Sequence, residues 1–194
     1  YADTGANSPL LKYLPMFVLP EFFAKPSLQP DTDLLFVGND HTDRAPVLRL
    51  LSQQAEEIGL RLKIRLLVAS WRYWLRRWRN DALFSGYITR PLTLDEVRQH
   101  MARTRVLLDL HHPGQTGLTQ RTLEALAMGL KLITTNENVR NEAFFHPDRV
   151  WIIDRQAPQL DRAWFDRPAT PADLSTYALE AWLRRVLASK PLLV

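Results

Sequence analysis

Between His111 and Glu124 the sequence reads HHPGQTGLTQRTLE, and most of its side chains can donate or accept hydrogen bonds. It runs on into LEALAMG, so residues from about Thr119 onward suit a helix that stops at Gly129. A helix entrance presents main-chain N–H groups without internal partners, together with a partial positive charge. Gly114 and Gly117 lie just ahead of it and leave room for an anion, a phosphate above all, to approach those amides. The amides of Gly117, Leu118 and Thr119 would line the cradle. Gln115, Thr116 and Thr119 would add side-chain donors, and Arg121 a charge-assisted one. Glu124, one turn further in, can accept both hydroxyls of a ribose. A plainer reading stands beside this one: Thr119 caps the helix, the glycines serve the turn, and Glu124 pairs with Arg121 three residues earlier. His111 and His112 are neighbours on an extended stretch and point in opposite directions. They do not chelate one ion together, and no metal site is expected. Either ring could touch a bound diphosphate.

Such a loop works only if a sheet holds it at an open end. Residues 33–38, DLLFVG, form a short apolar run closed by glycine, followed by NDHTDR and then APVLRLLSQQAEEIG, where Val47, Leu50, Leu51 and Ile58 suit one helical face. Gly59 marks a helix stop, and LKIRLLV resumes as a strand. ALFSGYI reads as a strand to Ile88. TLDEVRQHMART reads as a helix that Thr93 can cap, with Asp95 and Glu96 in the first turn. RVLLDL, KLITT and RVWIID are further strands, with a short helix around NVRNEAFF and a final one over ADLSTYALEAWLRRVL. Strands without strict alternation, each followed by a helix, predict an α/β fold: a Rossmann-like parallel sheet with helices on both faces. In such sheets ligands bind beyond the carboxyl ends of the strands. The loops of interest are therefore 39–44, 87–93, 111–118 and 135–138. Residues 1–32 carry five prolines and no steady period, and read as a proline-rich connecting segment packed on a surface, ahead of one domain at 33–194.

The bulk numbers bound the function classes. A 194-residue chain with 46% hydrophobic and 24% charged residues has a soluble globular balance. No stretch approaches the roughly 20 apolar residues of a membrane span, and the amino terminus lacks a secretory pattern, so a cytoplasmic chain is expected. It has no cysteine, which excludes disulfides and thiolate metal sites. A net charge of +4 favours anionic partners. The first residue is Tyr1, and a processed chain or fragment with a missing partner domain is expected.

WRYWLRRWRND is the other conspicuous tract. On a helix Trp71, Trp74, Leu75 and Trp78 share one face, with Arg72, Arg76 and Arg79 around the rest. Three readings fit: a peripheral contact with acidic lipid, a single-stranded nucleic-acid surface, or tryptophans packed on the sheet or on an absent domain with the arginines in water. Positive residues are spread through the chain rather than gathered in one block, which counts against nucleic acid.

TGLTQRTLEALAMGLKLITTN resembles the nucleotide-sugar-binding region of glycosyltransferases with the GT-B fold, and looks closest to those of bacterial capsule and lipopolysaccharide assembly and the spore-coat-type group. Glu124, Ala125, Ala127 and Gly129 fall on that family's signature, and Arg121 on an arginine three residues before its glutamate. The likeness extends over 33–155, through DLLFVGNDHTDRAPVLRLL and LFSGYITRPLTLDEVRQHMARTRVLLDL. It implies one half of a GT-B fold, the carboxy-terminal domain, which transfers sugar from a nucleotide-sugar donor to a cell-surface glycan or lipid-linked acceptor. No other cofactor is implied, and the expected place of action is cytoplasmic, with a peripheral contact at the inner face of the membrane as the Trp/Arg tract's lipid reading would have it. It sets the nucleotide base beside Gly86, Tyr87 and Ile88, with Tyr87 able to stack on it. Asn39, His41 and Arg44 would face the donor phosphate, while Asp43 caps the following helix. Two positions depart from the pattern: Thr116 stands where the family has its first glutamate, and Lys131 replaces a proline after the helix glycine. The family's usual catalytic base lies in an amino-terminal domain outside this chain. A nucleotide-sugar 2-epimerase would share the architecture, and a noncatalytic nucleic-acid module would use the Trp/Arg tract instead.

Overall fold

The computed structural model describes residues 16–188, apart from 27, 28, 42, 80 and 116 and the side chain of Phe84. Six parallel strands form one sheet: β1 (Thr32–Asn39), β2 (Leu62–Leu67), β3 (Tyr87–Ile88), β4 (Thr104–Asp109), β5 (Lys131–Thr134) and β6 (Val150–Ile152), in the order β3-β2-β1-β4-β5-β6. The helices are α1 (Arg44–Glu57), α2 (Ser70–Trp78), α3 (Leu94–Ala102), α4 (Gln120–Ala127), α5 (Arg162–Asp166) and α6 (Leu179–Ala188). The strand order reverses between β1 and β4. That is the switch point where neighbouring connections leave in opposite directions and open a crevice.

The central strands β1, β4 and β5 are largely buried because both faces are covered. Along β1, Leu34 and Phe36 join a cluster with Val47, Leu48 and Leu51 of α1 and with Trp164 and Phe165 of α5. Leu35, pointing the other way, joins Val97 and Met101 of α3 and Leu123 and Leu126 of α4. Leu48 takes the place on the α1 core face that the period gave to Leu50, which is exposed. Gly59 and Gly129 end their helices with φ of 68° and 77°, the left-handed stop that glycine adopts without a Cβ penalty.

Several segments differ from the sequence expectation. Only Tyr87–Ile88 of ALFSGYI is strand, and residues 84–86 form a 3-10 turn. A Cβ on Gly86 would lie 2.7 Å from that of Ile64, so the turn rests directly on β2. NVRNEAFF yields a 3-10 turn at Glu137–Asn141, capped by the Asn136 side chain. The final helix begins only at Leu179, after a 3-10 turn at Ser175–Tyr177. From residue 16 onward the proline-rich segment is stitched into the domain: Val18 and Phe22 are fully buried, Val18 bridges Ala178, and Gln120 donates to the Phe17 carbonyl at 2.8 Å. Residues 1–15 lie outside the described ones.

Candidate functional site

An open cavity of about 400 Å3 lies at the switch point, beyond the carboxyl ends of β1, β2, β3 and β4. Asn39, His41 and Arg44 of the β1–α1 connection line it, as do Ile88, Asp109, and Thr119 and Arg121 from the start of α4. Arg65 of β2 adds a third guanidinium, so cations outnumber the one carboxylate on its walls. Diphosphates suit such a wall.

α4 enters the site for reasons local to its sequence. Thr119 takes an extended backbone, and its hydroxyl accepts from the Thr122 amide at 3.2 Å, an N-cap that satisfies one of the first-turn amides. Ahead of it the loop is held by its own side chains. Gln115 donates to the carbonyls of Gly117 and Leu118, and the Asn136 amide donates to Gly117 at 3.0 Å. Gln115 therefore serves the loop's shape, and its side chain is turned from the cavity toward those carbonyls. Gly117 is exposed, and a Cβ there would meet nothing within 4 Å, so the helix entrance is open. Leu118 is half-buried and packs against the core. Thr116 lies outside the described residues.

Behind the entrance stands Asp109, at the end of β4. It is buried, and its Oδ2 accepts from the Thr119 hydroxyl at 2.8 Å and the Thr122 hydroxyl at 2.9 Å. Burial raises its pKa, against the two threonine hydrogen bonds and the charges of His111 and Arg44. Sequence reading missed this residue. Its signal was a lone carboxylate within the apolar run of residues 106–110 at the carboxyl end of β4. Arg44 spans the switch point, donating to the Leu110 carbonyl of the β4 end and the Asn39 carbonyl of the β1 end, each at 2.9 Å. It is thus a clamp as well as a wall cation. Asp43 precedes α1 but makes no capping hydrogen bond; its carboxylate pairs with Arg155 instead. Arg155, also missed, further donates to the His111 carbonyl and the Thr135 hydroxyl.

Glu124 and Arg121 form the ion pair that the plainer reading gave them. Glu124 is 2% exposed and sits behind Arg121, which reaches the cavity while Glu124 does not. Burial raises the Glu124 pKa, opposed by Arg121 and Gln120. The two histidines diverge. His111 Nδ1 lies 2.8 Å from the Thr135 hydroxyl, and burial, with Arg155 beside it, lowers its pKa. His112 is exposed, its ring edge-on to His41 at 5.5 Å between centroids.

Two expected base-binding residues stand elsewhere. Gly86 is packed on Ile64, and Tyr87 belongs to the core, its hydroxyl donating to Asp81 at 2.8 Å and its ring covered by Arg76 at 4.7 Å. A ring engaged on hydroxyl and face in this way is not free to stack on a nucleotide base. Burial and the Asp81 hydrogen bond push its hydroxyl up to about 12. Among the described residues, no three His, Asp or Glu side chains gather to hold a metal ion, and no helix is long and apolar enough to cross a membrane.

The model of the family described as glycosyl transferase-like matches residues 44–190. No curated protein matches the chain. Among solved structures, the carboxy-terminal domain of a glycosyl transferase group 1 family protein (LpcC) from Francisella tularensis is 11% identical, with a TM-score of 0.47, over 69% of this chain and 78% of that one. AviGT4, a glycosyltransferase involved in avilamycin A biosynthesis, is 14% identical with a TM-score of 0.47, over 73% of this chain and 43% of its own. The GtfA/B complex is 13% identical with a TM-score of 0.43, over 90% of this chain and 31% of that one. The chain thus spans less than half the length of the second and third.

Proposed function

The chain belongs to the glycosyl transferase-like family, and from that membership we propose that the switch-point cavity holds the diphosphate of a nucleotide-sugar donor. In this reading the domain is the donor-binding half of a GT-B glycosyltransferase, and the acceptor is a cell-surface glycan or its lipid-linked precursor. One observation carries it: Thr119 and Arg121 at the start of α4 meet Arg44 and Arg65 at one cavity beyond the strand ends.

The chemistry follows from that placement. The bond from the sugar C1 to the diphosphate oxygen breaks, and its electron pair stays on the diphosphate. The α4 amides and the Arg121 guanidinium stabilise the negative charge that develops there. The acceptor oxygen forms the new bond to C1, and its proton passes to a base that this reading assigns to a partner domain. Arg121 exchanges Glu124 for the diphosphate, and the uncovered Glu124 carboxylate accepts from the ribose hydroxyls. The chain alone is expected to bind nucleotide and to turn over little.

Calorimetry with nucleoside diphosphates tests this. Arg121→Ala and Glu124→Ala each remove a charge-assisted hydrogen bond of about 1.5–3 kcal/mol, so affinity should fall roughly ten- to a hundredfold. Gly117→Val fills the open approach with the fold intact and should weaken binding as well. Unchanged affinity in all three folded variants would remove the donor site from this cavity.

A further inference from the structure

α2 buries none of its residues fully, and its apolar face is turned outward. Trp71 and Trp74 are each 65% exposed and Trp78 is 86% exposed, so the stripe rests neither on the sheet nor on a neighbouring helix. The arginines do the opposite of what that stripe would suggest: Arg72 and Arg76 turn inward to Asp40, at 3.3 and 2.9 Å. Between α1 and α2 an open cavity of about 490 Å3 is lined by Arg49, Arg72, Arg76 and Arg79 under a rim of Trp71 and Leu75. Asp81 in its wall and Asp40 behind its arginines are already engaged. Asp40 holds two of the arginines, and Asp81 takes Arg49 at 2.7 Å and the Tyr87 hydroxyl. The Nη1 atom of Arg76 is buried without a hydrogen-bond partner. Four guanidinium groups against two carboxylates leave the cavity short of negative charge.

We propose that α2 seats this protein on an anionic bilayer, with the three tryptophans at the boundary between headgroups and acyl chains and a lipid phosphate in the arginine-lined cavity. Charge complementarity selects the occupant. α2 has no acidic residue, its exposed indoles are amphipathic, and the cavity's arginines stand on the protein side of them, as a surface that meets phosphate before hydrocarbon requires. Trp74 and Trp78 also project outward and line no part of that cavity. This surface shares no residue with the switch-point cavity and does not depend on the donor reading. Asp40, which anchors α2, lies in the same β1–α1 connection that supplies Asn39 and His41 to that cavity, so the bilayer would lie beside it.

Co-sedimentation of the full chain with vesicles decides the matter. Phosphatidylcholine containing phosphatidylglycerol should carry the protein down, pure phosphatidylcholine should not, and added salt should release it. Trp74→Ser with Trp78→Ser, and separately Arg72→Gln with Arg79→Gln, should each lower partitioning about tenfold or more, with nucleotide affinity unchanged. Brominated acyl chains should quench the fluorescence of the unmodified protein, a readout that needs no variant. Failure to bind the anionic vesicles, equal binding by the variants, or no quenching would overturn the proposal. So would a dimer that dissociates in the tryptophan variant, or an oligonucleotide bound in preference to the vesicles. Inorganic phosphate that binds the arginine cavity without any vesicle binding would leave a free-phosphate site and no membrane seat.

Discussion

Asp109 brings a carboxylate into the interior at the mouth of α4, where the helix field and two threonine hydroxyls welcome it but dry surroundings oppose its charge. Burial is the largest influence, and its folded pKa stands above 3.8. The sign follows from linkage. Where the native state binds more protons than the unfolded chain, stability falls as pH rises, so this group stabilises the fold below the unfolded pKa and loses that contribution as pH climbs through the folded value. Asp109→Asn should therefore raise the melting temperature at neutral pH, and the gap from wild type should close as pH drops below 3.8. The same variant removes a negative charge from the cavity wall and should tighten nucleoside diphosphate binding. Asp109→Ala, by contrast, strands both threonine hydroxyls and should cost about 1–3 kcal/mol, read from urea unfolding. Equal stability of the wild type and the Asn variant across the pH range would show that burial does not govern this carboxylate.

Elements are joined at the opposite end of the sheet by Asp33, at the start of β1. Its carboxylate takes Arg61, next to β2, through Nε at 3.0 Å and the main-chain amide at 2.9 Å, and Arg105 of β4 at 3.3 Å. Burial alone would raise its pKa, but these hydrogen bonds outweigh it and bring it to about 2. A depressed pKa gives stability that is present above the unfolded value of 3.8 and lost as pH falls toward 2. With Arg61 half in water, about 1–2 kcal/mol is at stake, so Asp33→Asn should unfold at lower urea at pH 7 and match wild type near pH 2. Gly86→Ala should act through packing alone. The new methyl meets Ile64 at 2.7 Å, an overpacked contact that should cost about 1–3 kcal/mol in thermal unfolding. These joints also show what the residue order can reveal. The 3.6-residue period and the Thr93 and Thr119 caps made α1, α3 and α4 legible, since those signals are local. The short β3 and the 3-10 turns were not, because contacts between distant segments, Gly86 on Ile64 above all, decide them. Asp109, Arg155 and the inward turn of Arg72 and Arg76 escaped for the same reason. Each is defined by a partner many residues away.

Across the whole molecule, the strand order places every arginine of the switch-point cavity on a different element: Arg65 on β2, Arg44 on α1 and Arg121 on α4. A diphosphate bound there, as proposed, would engage all three only in the folded chain. Parallel alternation of strand and helix made this crevice foreseeable as a place, and Asn39, His41, Arg44, Ile88, Thr119 and Arg121, named from the sequence, line it, whereas Arg65 and Asp109 were not foreseen and Gly86 and Glu124 do not reach it. Tyr87 had the right position in the chain and was claimed by the core. Linkage then sets the size of the response. A nucleoside diphosphate at a hundred times its dissociation constant should stabilise the protein by about 2.7 kcal/mol. For a chain of this length each kcal/mol moves the midpoint by roughly 2–4 °C, so a rise of about 5–10 °C is expected. The Arg121→Ala variant should lose most of that rise, and a nucleoside, lacking phosphate, should produce little in either protein. The tryptophan variant of α2 should respond to nucleotide as wild type does. A nucleoside that stabilised as strongly as its diphosphate would mean that the base, rather than the arginines and the α4 entrance, holds the ligand.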